Sequence, residues 1–130
     1  MSELKNITVN KKALHNYEIL EKYEAGMMLV GSEVKSIREG KVNLKDSYVD
    51  MRAAEAFLVN AHIAAYSNAS YNNHDPERER KLLLHRQELM KLDRKVKTRG
   101  VSIVPLRMYF NKKGIVKIEI ALAKGKREYE

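Results

Sequence analysis

Two apolar runs joined by a four-residue turn constrain this chain more than any other feature. Val101–Phe110 is rich in β-branched and aromatic side chains. Ile115–Ala123 alternates, with Val116, Ile118, Ile120 and Leu122 on one face and Lys117 and Glu119 on the other. Asn111–Gly114 between them supplies turn chemistry, so the pair predicts an antiparallel hairpin. Pro105 cannot donate to a ladder, and the apolar face changes there, which predicts a bulge or an edge. A sheet built on this hairpin has to hide its outer edges, and closing it into a barrel is one way to do so.

The rest of the chain supplies further strands and short helices. Residues 1–9 show no strong period and are expected as a mobile start. Asn10 reads as the cap of a helical turn, followed by strand over Tyr17–Leu20 and Tyr23–Leu29, interrupted near Glu24–Gly26. Ser32–Glu39 reads as a helix with a Ser cap and a left-handed stop at Gly40. Ser47–Arg52 and Ala56–Ile63 read as strands around a turn at Ala53–Glu55 that has neither glycine nor asparagine. Tyr66–Asn73 reads as an exposed loop. Asp75–Pro76 opens a turn of helix, three leucines form a connector, and a longer helix starts at His85, where Glu88 stands at capping-box spacing. Leu89, Leu92 and Val96 continue its apolar stripe up to Gly100. With no repeat or linker, the 130 residues are expected as one α+β domain, mostly β. The expected architecture is an antiparallel OB-like β-barrel with about three short peripheral helices, a two-layer sheet being the alternative.

Little in the sequence points to catalysis. Cysteine is absent, which removes thiolate chemistry and disulfides and fits a reducing cytoplasm. No run of 18 apolar residues is present, so no membrane is expected. The four histidines lack metal-ligand spacing, no phosphate or dinucleotide loop appears, and no cofactor is expected. Ser32 and Ser36 stand beside no identifiable base, and His74 with Asp75 reads as a capping arrangement before it reads as an acid–base pair. The chain is therefore expected not to be an enzyme. Its formal charge of +8, from 25 Lys and Arg against 17 Asp and Glu, points to a polyanion. Arg78, Arg80, Lys81 and Arg86 crowd beside Leu82–Leu84, and Tyr66, Tyr71, His74 and His85 offer rings for unpaired bases. A solvated charged helix is the plainer reading of that segment, but loop aromatics near basic helices favour RNA.

The strings YEAGMMLVGSEVKSIREGKVNLKDSYV, NNHDPERERKLLLHRQEL and LRMYFNKKGIVKIEIALAKGKRE, in this order, resemble the small protein B family of bacterial trans-translation. The resemblance implies an OB-like barrel that binds the tRNA-like domain of transfer-messenger RNA, occupying the place of a missing anticodon arm. It further implies support of alanylation by alanyl-tRNA synthetase, delivery by elongation factor Tu and entry into stalled ribosomes, with the protein acting as a monomer. A general translation-associated OB module is the alternative function. Carried over by motif, RNA contact falls on Asn10, Lys11, Lys12 and His15, on Glu24 of YEAG, and on Lys35 and Arg38 of the helix. It also falls on Asn73, His74, Arg78, Arg80, Lys81, Leu83 and His85, and on Lys124, Lys126 and Arg127. The family continues into a basic tail beyond the position of Glu130, so RNA binding is expected here while tagging on the ribosome depends on that tail.

Overall fold

The computed structural model describes residues 5–66 and 73–126. In chain order these form β1 (Lys5–Val9), α1 (Lys11–Asn16), β2 (Tyr17–Met27), α2 (Gly31–Arg38), β3 (Val42–Asn43), β4 (Tyr48–Arg52), β5 (Glu55–Val59), β6 (His62–Ile63), β7 (Arg80–Leu83), α3 (Arg86–Lys95), β8 (Val101–Phe110) and β9 (Val116–Gly125). The hairpin that dominates the sequence is β8·β9. Asn111 Oδ1 accepts from the Lys113 and Ile115 amides at 2.9 Å each, and Gly114 takes the left-handed φ of +77° that the turn requires.

Seven strands make one antiparallel sheet in the order β1-β8-β9-β2-β7-β5-β4, and β3 pairs separately with β6. The ladder is open, with β1 and β4 as its edges, so the closed barrel expected from the sequence is not what the pairing among the described residues forms. β1 covers only Arg107–Phe110 of β8, which leaves one side of the first half of β8 without a strand partner; β4 lies against β8 across that seam without pairing.

The face change at Pro105 is a register shift between Pro105 and Arg107. It lets one strand serve two cores. Ile103 and Met108 join the main core with Leu58, Ile63, Leu82, Leu92, Ile118 and Ile120, each such burial being worth about 1.5–3 kcal/mol. Val104 and Leu106 turn to the opposite face, where Ala121 and Ala123 leave room for Ala13 of α1 to pack. Asn10 fixes the helix there. Its Oδ1 accepts from the Ala13 amide at 3.2 Å, while its Nδ2 donates to the carbonyls of Pro105 at 2.9 Å and Leu44 at 3.3 Å.

Several local expectations change. Residues 5–9 are a strand rather than a mobile start, because Lys5–Val9 completes the exposed edge of β8. β2 runs unbroken through Gly26, which pairs with Leu83; its irregularity lies between Ile19 and Glu21, where Leu20 bulges outward. The strand expected over Ala56–Ile63 divides at Asn60, whose φ is +67°. Asp75 caps a turn, not a helix: its Oδ1 accepts from the Glu77 amide at 2.9 Å. The leucine connector is strand β7, seated between β2 and β5.

Candidate nucleic-acid interface

The residues expected to meet RNA divide into those built into the fold and those on its surface. Glu33 explains most of the first group. Its carboxylate is fully buried at the start of α2 and accepts from the Val30 amide at 2.9 Å, so the glutamate, not Ser32, caps the helix. Two arginines converge on it. Arg78 Nη2 reaches Oε1 at 2.6 Å with Nε to Oε2 at 3.1 Å, and Arg80 Nε reaches Oε2 at 2.7 Å. Burial alone would raise the Glu33 pKa, yet the hydrogen bonds from Arg78, Val30 and Arg80 together hold it below the usual carboxylate value. Arg80 is completely buried, and its remaining N–H groups donate to the carbonyls of Ala61 at 2.9 Å and Pro76 at 3.2 Å. It therefore presents no cation to a ligand. Arg78 is partly exposed, though its fork is already engaged.

His74 belongs to the same inner structure. It is buried, with Nε2 2.8 Å from the Ile63 carbonyl and Nδ1 2.8 Å from Ser32 Oγ. A carbonyl only accepts, so Nε2 carries the proton and Nδ1 accepts from the serine hydroxyl. Ser32 thus does stand beside a base, contrary to the sequence reading, but both ring nitrogens are occupied in clamping residue 74 onto α2. Asn73 exchanges two hydrogen bonds with the Tyr66 backbone, at 3.0 and 2.9 Å. Asn10, buried in its cap, is likewise structural.

The surface cations gather in places far apart in sequence. Lys11, Lys12 and His15 of α1 are exposed, as are Lys124 and Lys126: the Lys126 amide donates to the Asn16 carbonyl at 2.8 Å, and Lys124 pairs with Glu18 across the β2·β9 ladder, on the face opposite α1. Lys12 also meets Asp46 at 2.7 Å, an exposed pair that an incoming anion can displace at little cost. Arg127 and Tyr71 lie outside the described residues. A second group lies on the outer face of the sheet. Strand alternation puts Glu24 and Gly26 of β2 on one side, Gly26 pairs with Leu83 of β7, and Lys81 shares that face two residues on. Leu83 is 50% exposed and Lys81 contacts Glu55 at 3.2 Å. Glu24 accepts from the buried Tyr109 hydroxyl, whose phenol is pushed upward by burial and then by that bond. His85 caps α3 next to this face, with Glu88 Oε1 accepting from the His85 amide at 3.1 Å; only that half of the expected capping box forms. Lys35 and Arg38 project from α2 as a third group, Lys35 lying 5.6 Å from the Tyr66 ring centroid.

The family model described as SmpB protein matches residues 7–130. The chain belongs to the SmpB protein family. Among similar SmpB relatives, the SsrA-binding protein of Sulfurihydrogenibium sp. (strain YO3AOP1) is 61% identical over 130 residues, covering 100% of this chain and 84% of the relative. The SsrA-binding protein of Syntrophobacter fumaroxidans is 57% identical over 124 residues, 95% of this chain and 76% of that one. A solved structure described as "tmRNA-SmpB: a journey to the center of the bacterial ribosome" superposes with a TM-score of 0.78 at 47% identity, over 99% of this chain and 88% of that one.

Within this SmpB chain, Glu33 and Lys117 are what reasoning from sequence missed. Lys117 Nζ sits beside Gly26, 3.7 Å from where a Cβ would stand, and so adds a cation to the face of Glu24 and Leu83. Its outward position in the alternating strand was the available signal. Glu33 had a signal too, as the only acidic residue in the first turn of α2.

Proposed function

We propose that this chain binds transfer-messenger RNA through its tRNA-like domain and acts with it in trans-translation on the ribosome. Family membership carries the reading, together with exposed cations in two groups, Lys11, Lys12 and His15 on α1 and Lys124 and Lys126 at the end of β9, which the Lys126–Asn16 backbone bond ties together. Exposed cations of both groups meet the phosphates of a polyanion. Glu24, Lys81, Leu83, His85 and Lys117 form a second contact face, suited to bases and ribose as well as phosphate. Lys35 and Arg38 extend the basic surface, while Arg78, Arg80, Asn10, Asn73 and His74 act by holding it in shape. Membership of a family whose relatives are named SsrA-binding proteins supports the RNA class. The sheet curls so that β4 lies against β8, and we read it as an OB-like barrel with one incompletely paired seam. In this reading the chain is one domain and a monomeric cytoplasmic adaptor without catalysis of its own. It favours alanylation of the RNA by alanyl-tRNA synthetase and delivery by elongation factor Tu.

Fluorescence anisotropy with a labelled tRNA-like domain against a length-matched hairpin tests this. Clear preference for the tRNA-like RNA is expected. Equal affinity for both would reduce the chain to a general basic RNA binder.

A further inference from the structure

The seam between β4 and β8 holds a cavity of about 490 Å³, within the range of about 300–1,000 Å³ typical of small-ligand sites. Its walls come from α1, the start of β2, β4 and the first residues of β8. Tyr17 in its wall also packs on the smaller core, while three other side chains there have no part in holding the fold together. Tyr17 and Tyr48 contribute two aromatic rings from different strands, and Tyr48 is 44% exposed. The Asn16 side-chain amide and the Ser102 hydroxyl also line it, and neither has a hydrogen-bond partner among the described residues. Residues 101–104 of β8 pair with β9 on one side only, so backbone donors and acceptors face the seam unclaimed by any strand. Lys12 stands at the cavity beside Asp46, in an exposed and weak pair.

We propose that this seam cavity is a pocket for a single unpaired nucleobase of an RNA. The chemistry fits a base more closely than a sugar or a simple anion. Aromatic rings stack on the flat face of any base. A primary amide, a hydroxyl and free strand backbone supply the mixed donors and acceptors that a base edge presents. Lys12 meets the attached phosphate by leaving Asp46. The proposal rests on the RNA-binding reading but adds to it a site that adjoins the cations of α1 and shares Lys12 with them, one that takes a base out of the stack instead of tracking a backbone.

The test is an NMR titration of the full chain with adenosine 5′-monophosphate and, separately, ribose 5-phosphate. Adenosine monophosphate is expected to shift the amide signals of Tyr17, Tyr48 and Ser102, and ribose phosphate is expected to leave them in place. Tyr48→Leu keeps apolar bulk at an exposed position, and an unchanged spectrum elsewhere checks its folding. It should weaken adenosine monophosphate roughly tenfold, the size of one lost aromatic–base stack. Equal shifts by the two probes, no shift at the cavity, or an unaltered affinity of Tyr48→Leu would each overturn the pocket. Anisotropy with the tRNA-like RNA on the same samples decides the wider function separately, because the cationic faces are intact in Tyr48→Leu.

Discussion

Replacing Glu33 by glutamine preserves its shape while leaving Arg80 as a buried, uncompensated cation. Removing one partner of such a network costs about 3–5 kcal/mol, so Glu33→Gln should lower the urea midpoint sharply at neutral pH. The pH dependence follows from the sign of the shift. Glu33 titrates lower in the folded chain than in the unfolded one, so its stabilisation is present above the ordinary carboxylate value and disappears as pH falls through the lower, folded value. Thermal melts from pH 7 downward should therefore show an acid slope in the parent that is reduced in Glu33→Gln; parallel slopes would remove Glu33 from the acid transition. Arg80→Ala should likewise be destabilising, and any loss of RNA binding in it should track loss of fold. In the sequence, Arg78, Arg80 and Lys81 are three similar cations. Only the period distinguishes them: reading RKLL as strand puts Arg80 and Leu82 inward with Lys81 and Leu83 outward, whereas reading it as helix hides that division.

At the scale of elements, the β4–β5 hairpin closes through Ala53 and Ala54 at φ +51° and +59°, a left-handed pair that alanine adopts at a cost of about 1–2 kcal/mol per residue. Ala53→Asn with Ala54→Gly suits that backbone and should stabilise the chain by about 1 kcal/mol, seen as a higher urea midpoint with unchanged RNA affinity. A midpoint at or below the parent's would mean that the turn rearranges. The sequence lacks an Asn-Gly signal here, and the hairpin forms in spite of that, held by the Val49–Leu58 and Met51–Ala56 pairs. The β8·β9 hairpin, α1 and the His85 start of α3 were legible because local chemistry and periodicity agree there. β7 was not. Asp75–Pro76 signals a turn as well as a helix, and four residues of a central strand, flanked by neighbours on both sides, leave no alternation long enough to read.

For the whole molecule, the exposed lysines set how binding responds to salt. Lys11→Ala with Lys126→Ala should weaken the tRNA-like RNA and flatten the plot of log affinity against log salt by roughly 1–2, because each phosphate contact contributes about 0.7–0.9 to that slope. An unchanged slope would place the RNA elsewhere. Basic character and RNA as partner were readable from charge and motif, but the way the end of α1 comes to lie beside Lys126 depends on a ladder pairing Tyr17 with Gly125, which no local pattern encodes. That same ladder governs the order of assembly during synthesis. β1 and β2 are made well before their sheet partners β8 and β9, so the central sheet waits for segments far along the chain. Before then the β4–β5 hairpin and the β3·β6 and β5·β7 pairs already have both their members. Such distant pairing belongs to slowly folding β topologies, which complete in milliseconds to seconds where helical bundles need microseconds to milliseconds.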